Sequence, residues 1–147
     1  ENGKLIIEIK SDEKIIEPLI TLIKNANLKT NQVEIIAFNF KLLAEIKKLI
    51  PEYRILWLLG SGFYWSQWHI MKKKIKNKLL IHNLDGVNVY EKNLINKKIV
   101  SYFQKNGLSI YAWTVNDPAK ALKLVKSGIN GITSDKPTWL KNKITNF

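Results

Sequence analysis

The sequence contains no cysteine, which excludes disulfides, thiolate zinc sites and cysteine nucleophiles and leaves the redox compartment open. Arginine is almost as scarce: Arg54 stands alone in a chain whose 24 basic and 12 acidic residues give a net charge of +12. Such a charge points toward an anionic partner, yet readers of bases and phosphates favour the bidentate guanidinium fork. The lysines travel with Asn and Ile along the whole chain instead of forming a focused patch. A nucleic-acid partner is therefore not favoured; it would require binding with a steep salt dependence. No apolar stretch approaches the roughly 18–20 residues that cross a bilayer, and the first residues carry no apolar segment with a cleavage site. Localisation is left unassigned.

The 147 residues are 46% hydrophobic, which suits one folded domain over residues 1–147. Short apolar runs beside turn residues predict strands over Leu5–Ile9, Val33–Phe38, Arg54–Leu59, Gly86–Tyr90, Leu108–Val115 and Gly131–Thr133. Helical patterns separate them. Asp12 is a cap for one helix reaching Asn25, with Pro18 inside it. Apolar residues at 42, 43, 46, 49 and 50 draw one stripe on a second helix, ended by Pro51. Helices are also expected over Lys92–Lys105 and over Pro118–Ser127, the latter with Asp117 as cap and Gly128 as stop. Strand–helix–strand alternation with long connections implies parallel strands and right-handed crossovers. No linker divides the chain, and about six β/α units fall two short of a (β/α)8 barrel. A doubly wound open sheet also accommodates six strands, but no Gly-rich phosphate loop follows the first one.

Three stretches carry candidate chemistry. In LIIEIK, alternation puts Ile6, Glu8 and Lys10 on one face and Leu5, Ile7 and Ile9 on the other. In a barrel the aliphatic face meets the helices, and the charges lie near the C-terminal strand end where active sites form. An inward glutamate needs a cation or a partner, so Glu8 is either a metal or catalytic residue or half of a salt bridge with Lys10. In LSIYAWTVNDP, Trp113 stands just before a helix start, near the mouth of its strand. In GINGITSDKP, Ser134 and Asp135 taken alone suit a cap or a turn.

Taken in order, these stretches resemble the "iEiK", "WTvN" and "GIiTDxP" motifs of the glycerophosphodiester phosphodiesterase family, and the segment from Ile35 to Leu58 is similar to the family's "isSF…L…ir…P…k…l" stretch. The likeness runs from Leu5 to Pro137. It implies an α/β fold that is part of a (β/α)8 TIM barrel, about six units corresponding to strands 3–8 and lacking the first two. It further implies hydrolysis of glycerophosphodiesters to an alcohol and glycerol 3-phosphate with a divalent metal, Ca or Mg. Carried over by position, Glu8 is a metal ligand, Lys10 a contact to the phosphate or its bound ion, Trp113 an apolar wall against glycerol and Phe38 a lining residue. Ala37 stands where the family has serine, and Ser134 where it has threonine.

The family's "HRG", "E-x-D" and "HD" motifs, which carry its two catalytic histidines and two further acidic ligands, do not occur in this sequence. His69 and His82 match neither histidine, and no catalytic residue is assigned within the chain. The expectation is a part of a larger enzyme, inactive alone, whose open barrel edges pair with a missing N-terminal segment or with another copy. The competing expectation is a non-catalytic module that binds an anionic ligand, a lipid surface or a partner chain. Phe63, Tyr64, Trp65 and Trp68, followed by lysines, suggest a lip for a lysophospholipid-like chain or peripheral membrane contact, or else ordinary helix packing.

Overall fold

A computed structural model describes residues 3–61, 68–93 and 95–145, without the side chains of Trp68 and His69. Six strands, β1 (Leu5–Ile9), β2 (Val33–Ala37), β3 (Arg54–Leu59), β4 (Gly86–Tyr90), β5 (Ser109–Trp113) and β6 (Gly131–Ile132), pair in parallel and in chain order. Each is followed by a helix: α1 (Ile16–Asn25), α2 (Phe40–Leu49), α3 (Trp68–Ile81), α4 (Lys97–Gln104), α5 (Pro118–Lys126) and α6 (Pro137–Thr145). Within the described residues, β1 pairs only with β2 and β6 only with β5, so the arrangement is a curled half-barrel with two free edges. Leu5 and Ile6 on the β1 edge are 49% and 44% exposed. Among the described residues, no helix is long and apolar enough to cross a membrane.

The strands form where the sequence supplies apolar runs, and alternation sorts their side chains into two cores. Val33, Ile35 and Ala37 of β2, Ile55 and Leu59 of β3, Val87 and Val89 of β4 and Ile110 of β5 face the helices. There they meet Leu42, Leu43 and Ile46 of α2, Ile75 and Leu79 of α3, and Val100 and Phe103 of α4. Each fully buried Leu or Ile contributes about 1.5–3 kcal/mol, so this layer supplies most of the hydrophobic stabilisation. The opposite sheet face holds a small cluster, Ile36, Leu56 and Leu58, with Tyr111 and Trp113 packed on it.

The curl follows from contacts that a flat sheet forbids. With strands about 4.8 Å apart, β2 and β5 would lie about 14 Å from each other. Yet the Tyr111 hydroxyl donates to Glu34 Oε1 at 3.1 Å, and the Phe38 and Trp113 rings meet edge to face at 5.6 Å. Gly86 lets β4 and β5 start side by side, because a Cβ there would lie 2.1 Å from the Ser109 carbonyl oxygen.

Local signals act as the sequence implies, with shifts at the ends. Asp12 accepts from the Lys14 amide at 3.0 Å and caps a short 3-10 turn, Glu13–Ile15, that leads into α1. Pro18 falls in the first turn of α1, where a missing N–H leaves no bond unmade. Asn39 and Asp117 cap α2 and α5 by accepting from Leu42 N and Ala119 N. The helix expected from Lys92 starts at Lys97, because the Asn96 side chain accepts from Ile99 N at 3.1 Å and sets the cap there. Phe63, Tyr64 and Trp65 lie outside the described residues, as do the side chains of Trp68 and His69.

Candidate functional site

At the C-terminal ends of the strands, a cleft of about 600 Å³ opens between β1 and β5. Its walls include Glu8 and Lys10 from β1 and the turn after it, Phe38 and Asn39 from the end of β2, and Trp113 and Thr114 from the end of β5. The four residues singled out from the sequence, Glu8, Lys10, Phe38 and Trp113, thus line one space. Alternation produces this: Ile9 turns into the helix-facing core, which leaves Glu8 on the cleft side. Ser11, Asn39 and Thr114 also line the cleft. They directly follow Lys10, Phe38 and Trp113; Thr114 belongs to the WTVN stretch itself, while for Ser11 and Asn39 the pointer is the rule that barrel sites sit just past strand ends.

Glu8 and Lys10 meet at 3.6 Å, with side chains 35% and 77% exposed. The salt bridge that strand parity allows is therefore present, and an exposed pair of this kind contributes little to stability. The ammonium and the carboxylate remain accessible to a ligand. Opposite them is an aromatic wall. The Trp113 indole donates to the Asn88 carbonyl at 3.1 Å, Tyr90 packs on it at 5.4 Å, and Phe38, half exposed, meets its edge. Trp113 joins Thr114 through a cis peptide bond.

Below the cleft the interior holds polar residues that sequence reasoning passed over. Glu34 is 1% exposed, and its Oε1 accepts from Arg54 Nε at 3.1 Å, from the Tyr111 hydroxyl at 3.1 Å and from Lys4 Nζ at 3.5 Å. Arg54 also donates to Ser109 Oγ at 2.8 Å. These residues sit toward the N-terminal strand ends, the face of a barrel that serves stability. Asn88 is buried above them, its Oδ1 without a partner among the described residues. Burial, then the Glu34 charge and hydrogen bond, raise the Tyr111 pKa, and Arg54 offsets only part of this. Burial lowers the Arg54 pKa, but Glu34, Tyr111 and Asp85 outweigh it and the net shift is upward.

A raised tyrosine pKa stabilises the fold fully below the unfolded value near 10 and is lost as pH rises through the folded value. Tyr111→Phe is therefore expected to cost about 1.5–3 kcal/mol at neutral pH, the range for a bond to a charged acceptor. The difference from the unsubstituted chain should shrink above pH ~10. Paired urea melts at pH 8 and about pH 11 read both values, and a gap independent of pH would exclude the Tyr111–Glu34 bond as its source.

The two downstream motifs are tied to each other. Asn116 donates to Asp135 Oδ2 at 2.7 Å, and its Oδ1 accepts from Ser134 Oγ at 2.9 Å and Asp135 N at 3.0 Å. Ser134 and Asp135 do form a turn, with Lys136 N donating to Ser134 Oγ. The turn also ties the β6–α6 loop to the β5–α5 loop through Asn116.

The sequence matches the Glycerophosphoryl diester phosphodiesterase family over residues 5–138. The chain belongs to this family. It is 30% identical over 142 residues to a glycerophosphodiester phosphodiesterase of Caldanaerobacter subterraneus subsp. tengcongensis, an alignment covering 94% of this chain and 54% of that protein. A phosphodiesterase of Oleispira antarctica, solved in complex with the product sn-glycerol-3-phosphate, superposes with a TM-score of 0.77 at 22% identity, over 98% of this chain and 56% of that one. The glycerophosphodiester phosphodiesterase of Thermotoga maritima gives a TM-score of 0.72 at 18% identity, over 95% and 57%. These structural likenesses establish the partial TIM-barrel fold. The chain spans about half the length of the relatives it matches.

As a metal site, the cleft of this family member offers, among the described residues, one charged hard-oxygen ligand, Glu8. Among the described residues, no group of three or more His, Cys, Asp or Glu side chains could hold an ion. A Ca or Mg ion takes six or more oxygens. Glu8 fits as one ligand of such a site, and the described residues do not close it.

Proposed function

We propose that residues 1–147 act as one domain of an enzyme that hydrolyses glycerophosphodiesters to an alcohol and glycerol 3-phosphate with a divalent cation. The observation that carries this reading is the convergence of Glu8, Lys10, Phe38 and Trp113 on one cleft at the strand ends. Glu8 would hold the cation, Ca or Mg, whose charge neutralises the phosphoryl oxygens and activates the nucleophile when bound. Lys10, 3.6 Å from Glu8, supplies a point charge to the phosphate. Trp113 and Phe38 cover the glycerol carbons, and the Oleispira phosphodiesterase, solved in complex with sn-glycerol-3-phosphate, supports a ligand of that chemistry.

With Glu8 as the one carboxylate among the described residues that line the cleft, the chain alone is inactive in this reading, and other strands or a second copy complete the barrel along its free edges. Hydrolysis of glycerophosphocholine and of a lysophospholipid is to be assayed for the chain alone and after joining it to the part of the Caldanaerobacter relative that has no counterpart here. Activity is expected only in the joined form and only with Ca or Mg. Binding of glycerol 3-phosphate without turnover in the joined form would favour the second reading, a non-catalytic module for anionic ligands, for which the lack of a complete ligand cluster among the described residues speaks.

A further inference from the structure

The aromatic wall of the cleft has a contact from the other side of the sheet. The β2–β3 ladder ends at the pair Ala37–Trp57, so the carbonyl of Phe38, one residue further on, lies beyond it. At an exposed strand end like this one, water or a side chain can supply the donor. The donor here is a side chain: the Trp57 indole N–H, 3.0 Å from the Phe38 oxygen. Trp57 stands on the helix-facing side of β3, packed against the large core and away from the cleft. Its ring meets Phe40 of α2 edge to face at 4.8 Å, and the Lys78 ammonium lies 4.8 Å from its centre and 3.9 Å from that of Phe40.

Packing alone explains the ring and not the N–H. A phenyl group would fill the angle between β3, α2 and α3 and keep the cation over an aromatic face. The indole adds one directed bond, and that bond falls on the residue whose side chain forms the cleft wall. Phe38 is half exposed: the paired Ala37 and the α2 cap Asn39 fix its backbone on either side, and this bond and the Trp113 edge are contacts made at Phe38 itself.

We propose that Trp57 is a positioning residue for the cleft, its indole N–H holding the Phe38 carbonyl and through it the Phe38–Trp113 wall. The consequence for ligand affinity rests on the function proposed above; the coupling between Trp57 and the wall does not. The test is the set of indole N–H resonances of the full chain, which has five tryptophans, assigned by single substitutions. In Trp57→Phe, the Trp113 indole resonance is expected to shift and the Phe38–Trp113 nuclear Overhauser effects to weaken. Lys78→Met loosens the same outer cluster without removing the N–H, and should leave the Trp113 resonance in place. An unmoved Trp113 resonance in Trp57→Phe, or an equal shift in Lys78→Met, overturns the proposal.

The unsubstituted chain provides a second measurement should Trp57→Phe not fold. The Trp57 indole proton should exchange with solvent more slowly than that of the exposed Trp139, and equal rates overturn the proposal. In the joined form, Trp57→Phe is expected to bind glycerol 3-phosphate roughly fivefold more weakly, the value of one hydrogen bond. If the joined parent binds no glycerol 3-phosphate, the functional reading falls, and the resonance and exchange measurements still decide the positioning role.

Discussion

Glu34→Ala is expected to remove about 3–5 kcal/mol of stability, the cost of breaking a buried charge cluster by deleting one partner. A domain of this kind has about 5–15 kcal/mol in all, so the variant should be largely unfolded near body temperature or melt far below the parent. The size of the effect comes from convergence. One carboxylate oxygen accepts from Arg54, Tyr111 and Lys4, and so joins residues of β2, β3 and β5 with the chain just before β1. Alanine leaves Arg54 Nε and the Tyr111 hydroxyl facing a void without their acceptor, while Arg54 keeps its bond to Ser109, and orphaning these donors costs more than the bonds were worth. Glu34→Gln keeps an acceptor at the same place and should lose less. Adding Tyr111→Phe to Glu34→Ala should cost less than the two single changes summed, because the orphaned hydroxyl goes with it. Urea unfolding followed by circular dichroism reads the parent and all four variants. A Glu34→Ala chain within about 0.5 kcal/mol of the parent would show that this network does not hold the floor of the half-barrel.

That network was also the least legible part of the sequence. The six strands were legible because strands covered on both faces are near-continuous apolar runs, and VEIIA or RILWLL can be little else. Their parallel order followed from the length of the connections. Within VEIIA, however, Glu34 carries no local mark that separates it from a charge at a solvated strand end. Its partners stand 20, 30 and 77 residues away, and only the curl of the sheet brings Tyr111 across to it. The cleft was more legible. Parity assigned Glu8 and Lys10 to one face, and motif order set Phe38 and Trp113 at strand ends; the closing contact between β2 and β5 again needed the curl. Asn116 was visible as part of a helix start, whereas its bonds to Ser134 and Asp135 join loops 18 and 19 residues apart. Trp57 lay inside a strand and suited a core position; the direction of an N–H is not written in hydrophobic periodicity.

Glu8→Gln in the joined form is expected to lower phosphodiesterase activity by at least about a hundredfold, since a catalytic cation stabilises transition-state charge by several kcal/mol and each 1.36 kcal/mol is tenfold. The amide keeps the shape of the side chain and one oxygen but gives up the negative charge that a hard cation selects. Part of the loss should return at higher Ca or Mg concentration, which separates a weakened ligand from a misfolded protein. The fold itself should barely respond. Glu8 meets Lys10 at 3.6 Å with both side chains accessible, a pair worth at most about 1 kcal/mol. Lys10→Met tests the other half of the pair: a lost phosphate contact should raise KM for the diester without changing the metal dependence. Activity of Glu8→Gln equal to the parent would remove Glu8 from the metal site and leave the Glu8–Lys10 contact as a salt bridge and nothing more. A collapse of Glu8→Gln with an unchanged melting point would instead locate the effect in chemistry, because the structure gives this glutamate almost no folding work to lose.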